Sequence, residues 1–491
     1  MARVPTSPST KFMHARLDSN RPFLLAVSSH WVSLTGLALA LTALISWMFV
    51  LPVHVRGHVG NPYIGVLVFI IIPAIFFLGL ALIPLGIFLG WRRIKKGAAQ
   101  AITDPKLALR RLAIFLGSAT LVNVVVGTQF TYRAVEHMES VQFCGQTCHV
   151  MTPEFSAFKN SPHSRLQCVD CHVAPGVEGW VASKVSGSRQ LMSVVLNNYP
   201  RPIASALESD RLVPSNQTCE QCHWPEKFSG AELRVKLKYS EDEGNTESQT
   251  VLTMLIGGNK VRGIHGSHFG NGVKIRFAAA DNKRQNIPWV EVENTVTGLK
   301  REYLAAKETR ESVKGLAIHE MQCVDCHNRP THTFELPERA VDNALARGEI
   351  PVSLPYIKKQ AVQILKAEYG SNAEATATIP ATLTAYYQQN HRAMFEQRGS
   401  EIAQSGTALA AIYNRNVFPD LKVTWGTYPN NLGHTDFPGC FRCHDERTQS
   451  GSDHTLTQDC SACHEMLAME ETSAKILETL GLASRLKEMK K

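Results

Sequence analysis

All twelve cysteines of this chain fall into six pairs, and a histidine follows the second cysteine of every pair. The pairs are Cys144/Cys148, Cys168/Cys171, Cys219/Cys222, Cys323/Cys326, Cys440/Cys443 and Cys460/Cys463; the histidines are His149, His172, His223, His327, His444 and His464. Five motifs read CxxCH, and the first, CGQTCH, carries one extra residue. With 19 histidines among 491 residues, six such adjacencies do not arise by chance. The pattern is the attachment signature of c-type haem. Two thiols bond the vinyl groups, and the adjacent imidazole reaches the iron from one side. Zinc is the main rival, because pairs of CxxC can supply four tetrahedral ligands, but zinc gives no reason for a histidine after each pair. A disulfide framework is excluded because the six motifs use every cysteine. Six covalently bound haem c groups are therefore expected.

Six-coordinate haem iron needs a second axial ligand. His163 precedes Cys168 by five residues, His319 precedes Cys323 by four, and His434 and His454 precede Cys440 and Cys460 by six each. His332 follows His327 by five, and His265 and His268 sit in the segment GIHGSHFG. These seven are the distal candidates, and the regular spacing favours His163, His319, His332, His434 and His454. The first motif differs, since Met151 follows in CHVM and a thioether there can replace or oppose an imidazole.

Three apolar runs fill the first quarter: Trp31 to Val53, Tyr63 to Trp91, and Leu112 to Phe130. Each has at least 19 residues without a charge, long enough to cross a hydrocarbon core of ~30 Å as a helix. Pro73 and Pro84 predict kinks in the second. The leader carries Arg3, Lys11, Arg16 and Arg21; the first loop has only Arg56; the second has Arg92, Arg93, Lys95, Lys96, Lys106, Arg110 and Arg111. By the positive-inside rule the N-terminus and second loop face the cytoplasm, so everything after Thr131 faces outward, where haem is attached. A cleavable signal peptide is not expected. The +8 net charge gathers around these apolar runs rather than on a polar patch, which argues against a nucleic-acid partner.

The organisation expected is a membrane α-helical anchor of three transmembrane helices over residues 1–134, followed by a multihaem domain of helices and loops with a small β insert. Residues 135–229 hold the first three motifs. Residues 230–316 alternate β-branched and polar positions (Lys274 to Phe277, Trp289 to Val292) with a turn signal at Gly270–Asn271–Gly272, which predicts strands and hairpins. Residues 317–420 hold the fourth motif and a helical stretch broken at Pro351 and Pro355. Residues 421–491 hold the last two motifs and a tail, Ser473 to Lys491, that reads as an amphipathic helix.

FCGQTCHVMTPEF (143–155), SPHSRLQCVDCH (161–172) and CVDCHNRPTH (323–332) resemble the NapC/NirT-type membrane-anchored multihaem quinol dehydrogenases, and the layout is similar to inner-membrane cytochromes of metal-respiring bacteria of the ImcH type. The resemblance implies a cytochrome in the bacterial inner membrane, haem domain toward the periplasm, that oxidises quinol (menaquinol or ubiquinol) from the quinone pool. Its electrons would go to periplasmic c-type cytochromes or reductases in anaerobic or extracellular respiration. In that family a lysine after the second motif lines the quinol pocket, and Lys184 matches. An aspartate seven residues further on is replaced by Leu191, beside Arg189 and Gln190. Candidate bases for the quinol protons are Lys184, His137 and Glu136. Two rivals stay open: a non-catalytic electron-transfer subunit of a larger membrane complex, and a terminal multihaem reductase. The last needs an iron with an open position, and no lysine-ligated CxxCK motif is present.

Overall fold

An uncharged run can satisfy its backbone polar groups without water only by closing them into a helix. In the computed structural model, which describes residues 30–55, 72–95, 105–209, 212–224, 230–258, 263–449 and 455–484, the apolar runs form α1 (Trp31–Val55), α2 (Ile72–Lys95) and α3 (Pro105–Glu139). Among the described residues two stretches are long and apolar enough to cross a membrane, Ile72–Arg92 and Leu109–Glu139; the apolar stretch Trp31–Ser46 of α1 is shorter. Of the second run, the described helix begins at Ile72, and residues 63–71 lie outside the described set, as do the leader and most of both loops. Pro73 falls in the first turn of α2, where its missing N–H is no loss, and Pro84 lies inside the helix. The third helix overruns the expected Leu112–Phe130 at both ends.

Small residues let α1 and α2 approach closely. A Cβ added to Gly79 would lie 2.7 Å from both the Ala40 nitrogen and the Gly36 oxygen, the packing by which helices associate where lipid offers no hydrophobic drive. Asn123 on α3 donates to the Thr42 hydroxyl on α1 (3.1 Å). These helices and residues 184–192 form one compact unit; residues 140–183 and 193–491 form the other.

In the second unit α4 (Thr152–Lys159) follows the first motif; α5 (Gly176–Val195) follows the second motif, and its residues 184–192 belong to the first unit. The strands of the β segment do not close their sheets alone. β1 (Glu232–Tyr239) and β2 (Glu247–Met254) form a hairpin. The six-residue α6 (Ile264–Phe269) leads to β3 (Val273–Ala278), β4 (Trp289–Asn294) and β5 (Lys300–Leu304). The Gly270–Asn271–Gly272 turn joins α6 to β3 instead of joining two strands. The five-stranded antiparallel sheet runs β6-β3-β4-β5-β7, adding β6 (Ile318–Glu320) and β7 (Thr448–Gln449). β8 (His464–Glu471), which begins at the last motif histidine, completes β1-β2-β8. Both sheets thus borrow strands that adjoin haem motifs.

The largest apolar core is helical: α7 (Pro337–Ala346), α8 (Ile357–Lys366), α9 (Asn372–Asn390) and α10 (Arg392–Asn416) bury Val341, Leu345, Ile357, Leu365, Ile379, Leu383 and Ile402. Pro351 and Pro355 separate α7 from α8, where a helix cannot continue. The Ser371 hydroxyl caps α9 by accepting the Glu374 N–H (3.1 Å). In the tail Lys475–Thr479 is helical, residues 483 and 484 are helical again, and residues 485–491 are outside the described set.

Candidate haem chain

Each of the last five motifs sits on one tight turn, which gathers its two cysteines and the histidine that follows. The second and fourth motifs take α turns (Val169–His172, Cys323–Cys326), and the third, fifth and sixth take 3-10 turns. The first, with its extra residue, takes a π turn, Phe143–Thr147. A π turn accommodates one more residue than an α turn, so the longer motif keeps its cysteines on one turn. Gly145 lies against the Phe155 ring, which any Cβ there would overlap.

The motifs adjoin in chain order. Cys168 is held below the usual thiol range, first by a hydrogen bond from Cys144. Burial raises Cys171, and neighbouring Cys219 and Cys222 raise it further. Burial raises Cys323, with Cys219 adding to it. Burial pushes Cys326 up to about 12, with Cys440 and Cys443 among its charged neighbours. Burial raises Cys463, and Cys440 adds to it. The path from first to sixth motif is therefore unbranched in these contacts.

Five of the six motif histidines face a second histidine. Ring centroids are 6.2 Å apart for His172–His332, 6.0 Å for His223–His163, 6.2 Å for His327–His265, 5.8 Å for His444–His268 and 6.2 Å for His464–His434. A metal–imidazole bond is about 2 Å long, and the ring centroid lies about 1 Å behind the nitrogen. Two imidazoles on opposite sides of one ion therefore lie about 6 Å apart. The interplanar angles spread from 11° to 76°, as rotation about the nitrogen–metal axis allows and a fixed stacking geometry does not. Four of these rings have Nδ1 against a backbone carbonyl: His332 on Glu154 (3.0 Å), His163 on Pro330 (3.3 Å), His268 on Ile264 (2.7 Å) and His444 on Thr457 (2.8 Å). A carbonyl only accepts, so Nδ1 carries the proton and Nε2 keeps the lone pair. That is the second interaction that orients a metal-binding histidine.

Electrostatics favour the same neutral form. Burial, then neighbouring His332, lowers His172 to about 4, although solvent reaches its ring; the ring therefore lines a recess in dense protein. Burial comes first in lowering His265, His268, His327 and His434 as well. These residues fit haem. The donor set for zinc is missing: among the described residues no three His, Cys, Asp or Glu side chains converge on one point, and all twelve cysteines are free thiols.

The remaining candidates are placed differently. His319 packs at a tilt against Phe277, ring centroids 5.5 Å apart, and lines a cavity of about 280 Å³ with Leu207, Val213, Arg284 and Gln322. Met151 packs against the cluster of Val150, Phe334 and Tyr428. The His149 side chain and all of His454 lie outside the described residues. In the helical unit, Lys184 Nζ donates to Glu139 at 3.5 Å, with both side chains mostly buried. Glu136 pairs instead with exposed Arg133 (2.9 Å). His137 is in the last turn of α3. Glu139 was not among the sequence candidates; its signal was its place in that last turn.

Motifs, donor sets and helices together define a membrane-type c-type cytochrome. Residues 108–223 match the NapC/NirT cytochrome c family in its N-terminal region. The chain is 38% identical over 454 residues to cytochrome c-type protein ImcH of Geobacter sulfurreducens, covering 89% of this chain and 88% of that protein, and it belongs to this family. Cytochrome c-type protein TorC of Escherichia coli K12 is 26% identical over 149 residues, 27% of this chain and 35% of TorC. No solved structure matches.

Proposed function

We propose that the chain is an inner-membrane cytochrome with six haems that oxidises quinol and delivers electrons to periplasmic acceptors. Three membrane helices would set the haem domain on the periplasmic side. The observation that carries this reading is the row of five histidine pairs on motifs that adjoin in chain order. Haem held there supplies one-electron exchange. The proposed axial pairs are His172/His332, His223/His163, His327/His265, His444/His268 and His464/His434, with His149 on the first haem.

Quinol oxidation releases two protons with two electrons, so a base is needed at the entry point. Lys184 and Glu139 are proposed for this role. Their ion pair offers an ammonium that can hydrogen-bond a quinol oxygen and a carboxylate that can take its proton. Cys144 follows the end of α3 by five residues, a reach of at most ~18 Å, so the first haem stays within a short span of the membrane helix. The test is to mix the purified full-length protein with menaquinol and follow haem reduction. Rapid reduction supports quinol dehydrogenase activity. Reduction by dithionite but not by quinol overturns it in favour of an electron-transfer subunit. A pyridine haemochrome ratio other than six per chain sinks the haem count.

A further inference from the structure

The fourth and fifth motifs are joined by more than adjacency. The two histidines facing them, His265 and His268, sit three residues apart on α6. Gly263 opens that helix at φ 145°, where a Cβ would lie 2.6 Å from the Leu255 oxygen. The non-cysteine residues of the two motifs also interlock. Asp325, within the fourth motif, accepts from the buried Arg284 guanidinium at 2.7 Å and from the Gln322 N–H at 2.8 Å. Arg442, within the fifth, donates to the carbonyls of Asp325 (2.6 Å), Arg284 (2.6 Å) and Gly439 (2.9 Å). Arg447 donates in turn to the Arg442 carbonyl at 2.7 Å and pairs with Asp445.

This cluster has an excess of positive charge. Arg284, Arg442 and Arg447 are buried at 9, 8 and 3% exposure; the carboxylates beside them are Asp325, at 2%, and the more exposed Asp445. Arg442's three hydrogen bonds all go to carbonyls, which orient a cation without cancelling it. Reducing an iron adds one electron, so a buried cation nearby favours the reduced state.

We propose that Arg284, Asp325 and Arg442 hold the fourth and fifth haems as one rigid pair and set their electron affinity, with Arg442 raising it and Asp325 lowering it. They are positioning and tuning residues, and the proposal rests on the haem ligation given above. Arg442 lies between two attachment cysteines. A unit charge roughly 10 Å from an iron, at an effective dielectric near 20, changes the electron-transfer equilibrium about tenfold, or about 59 mV for one electron.

The experiment is an optical redox titration of the full-length holoprotein in detergent. Haem content and spin state of the parent protein come first: fewer than six haems, or a high-spin iron in place of one of the five pairs, overturns the underlying ligation. Arg442→Gln is then expected to lower a component of the titration by about tenfold in its equilibrium constant, Asp325→Asn to raise one by a similar factor, and Arg442→Lys to stay near the parent. Opposite signs separate charge from disruption, because loosened packing admits water in both variants and moves both the same way. Shifts of one sign, or none, overturn the proposal. Should Arg442→Gln fail to mature, the near-isosteric Asp325→Asn decides alone: an upward shift supports the proposal, and a downward or absent shift overturns it.

Discussion

Replacing His265 by Ala separates the spacing argument from the geometry. Spacing favours His319 as partner of the fourth motif, four residues ahead of Cys323. Geometry puts the His265 ring 6.2 Å from His327 with their planes 11° apart, while His319 lies on Phe277. If His265 is the distal ligand, its removal leaves a gap about one imidazole wide on that side of the iron. No other described histidine ring stands opposite His327 to fill it. With six motifs, one iron in six becomes high-spin, and spin integration of the oxidised protein by electron paramagnetic resonance reads that sixth directly. His319→Ala is expected to leave every iron that is low-spin in the parent low-spin and to lose only an aromatic contact, about 1 kcal/mol of stability. The reasoning is refuted if His265→Ala adds no high-spin iron to the parent spectrum, or if His319→Ala is the variant that adds one.

Further outcomes follow from the same geometry. Lys184→Gln and Glu139→Gln should each slow quinol-driven haem reduction by roughly 10²-fold with dithionite reduction unchanged; parent rates in both would move the proton acceptor elsewhere. Gly79→Leu should destabilise the helix pair by about 1–3 kcal/mol through overpacking, measured as earlier thermal loss of the detergent-solubilised protein. Gly117→Leu, where no atom lies within 4 Å, should behave as the parent.

The motifs and the membrane-type helices were legible because their signals are local: a cysteine spacing is read within five or six residues and an apolar run within twenty. Distal pairing was not, because it depends on where the chain returns. His163 stands five residues ahead of the second motif but faces His223 of the third, and His332 stands five beyond the fourth but faces His172 of the second. Each of these histidines faces a motif other than the one beside it, so sequence proximity misleads. The sheets misled for the same reason. Alternation was named at Lys274–Phe277 and Trp289–Val292, which lie in β3 and β4, but β6 is three residues long, β7 two, and β8 starts at His464 and pairs with β2, which ends at Met254, too short or too distant for periodicity to find them. Asp325 and Arg442 occupy positions that any residue fills in a CxxCH motif, and only their burial marks them.

The second motif's proposed distal ligand depends on three stretches at once, and one substitution tells which of them orients it. His332 comes from beyond the fourth motif, His172 from the second, and the carbonyl that receives His332 Nδ1 belongs to Glu154, just after the first. The Glu154 carboxylate is also close, 3.4 Å from both His332 Nδ1 and the Arg329 guanidinium. The carbonyl contact is shorter, at 3.0 Å, and survives any side-chain change, so the backbone of α4 orients the ring and the carboxylate chiefly neutralises Arg329. That guanidinium is buried to 7% side-chain exposure and lies 4.1 Å over Tyr428. Glu154→Ala therefore strands a buried cation, at a loss of about 3–5 kcal/mol, while every iron low-spin in the parent stays low-spin. Glu154→Gln keeps a hydrogen-bond acceptor for Arg329 and should recover part of that stability. A high-spin iron in Glu154→Ala, without the loss of stability, would show that the carboxylate holds the imidazole and that the carbonyl contact is incidental.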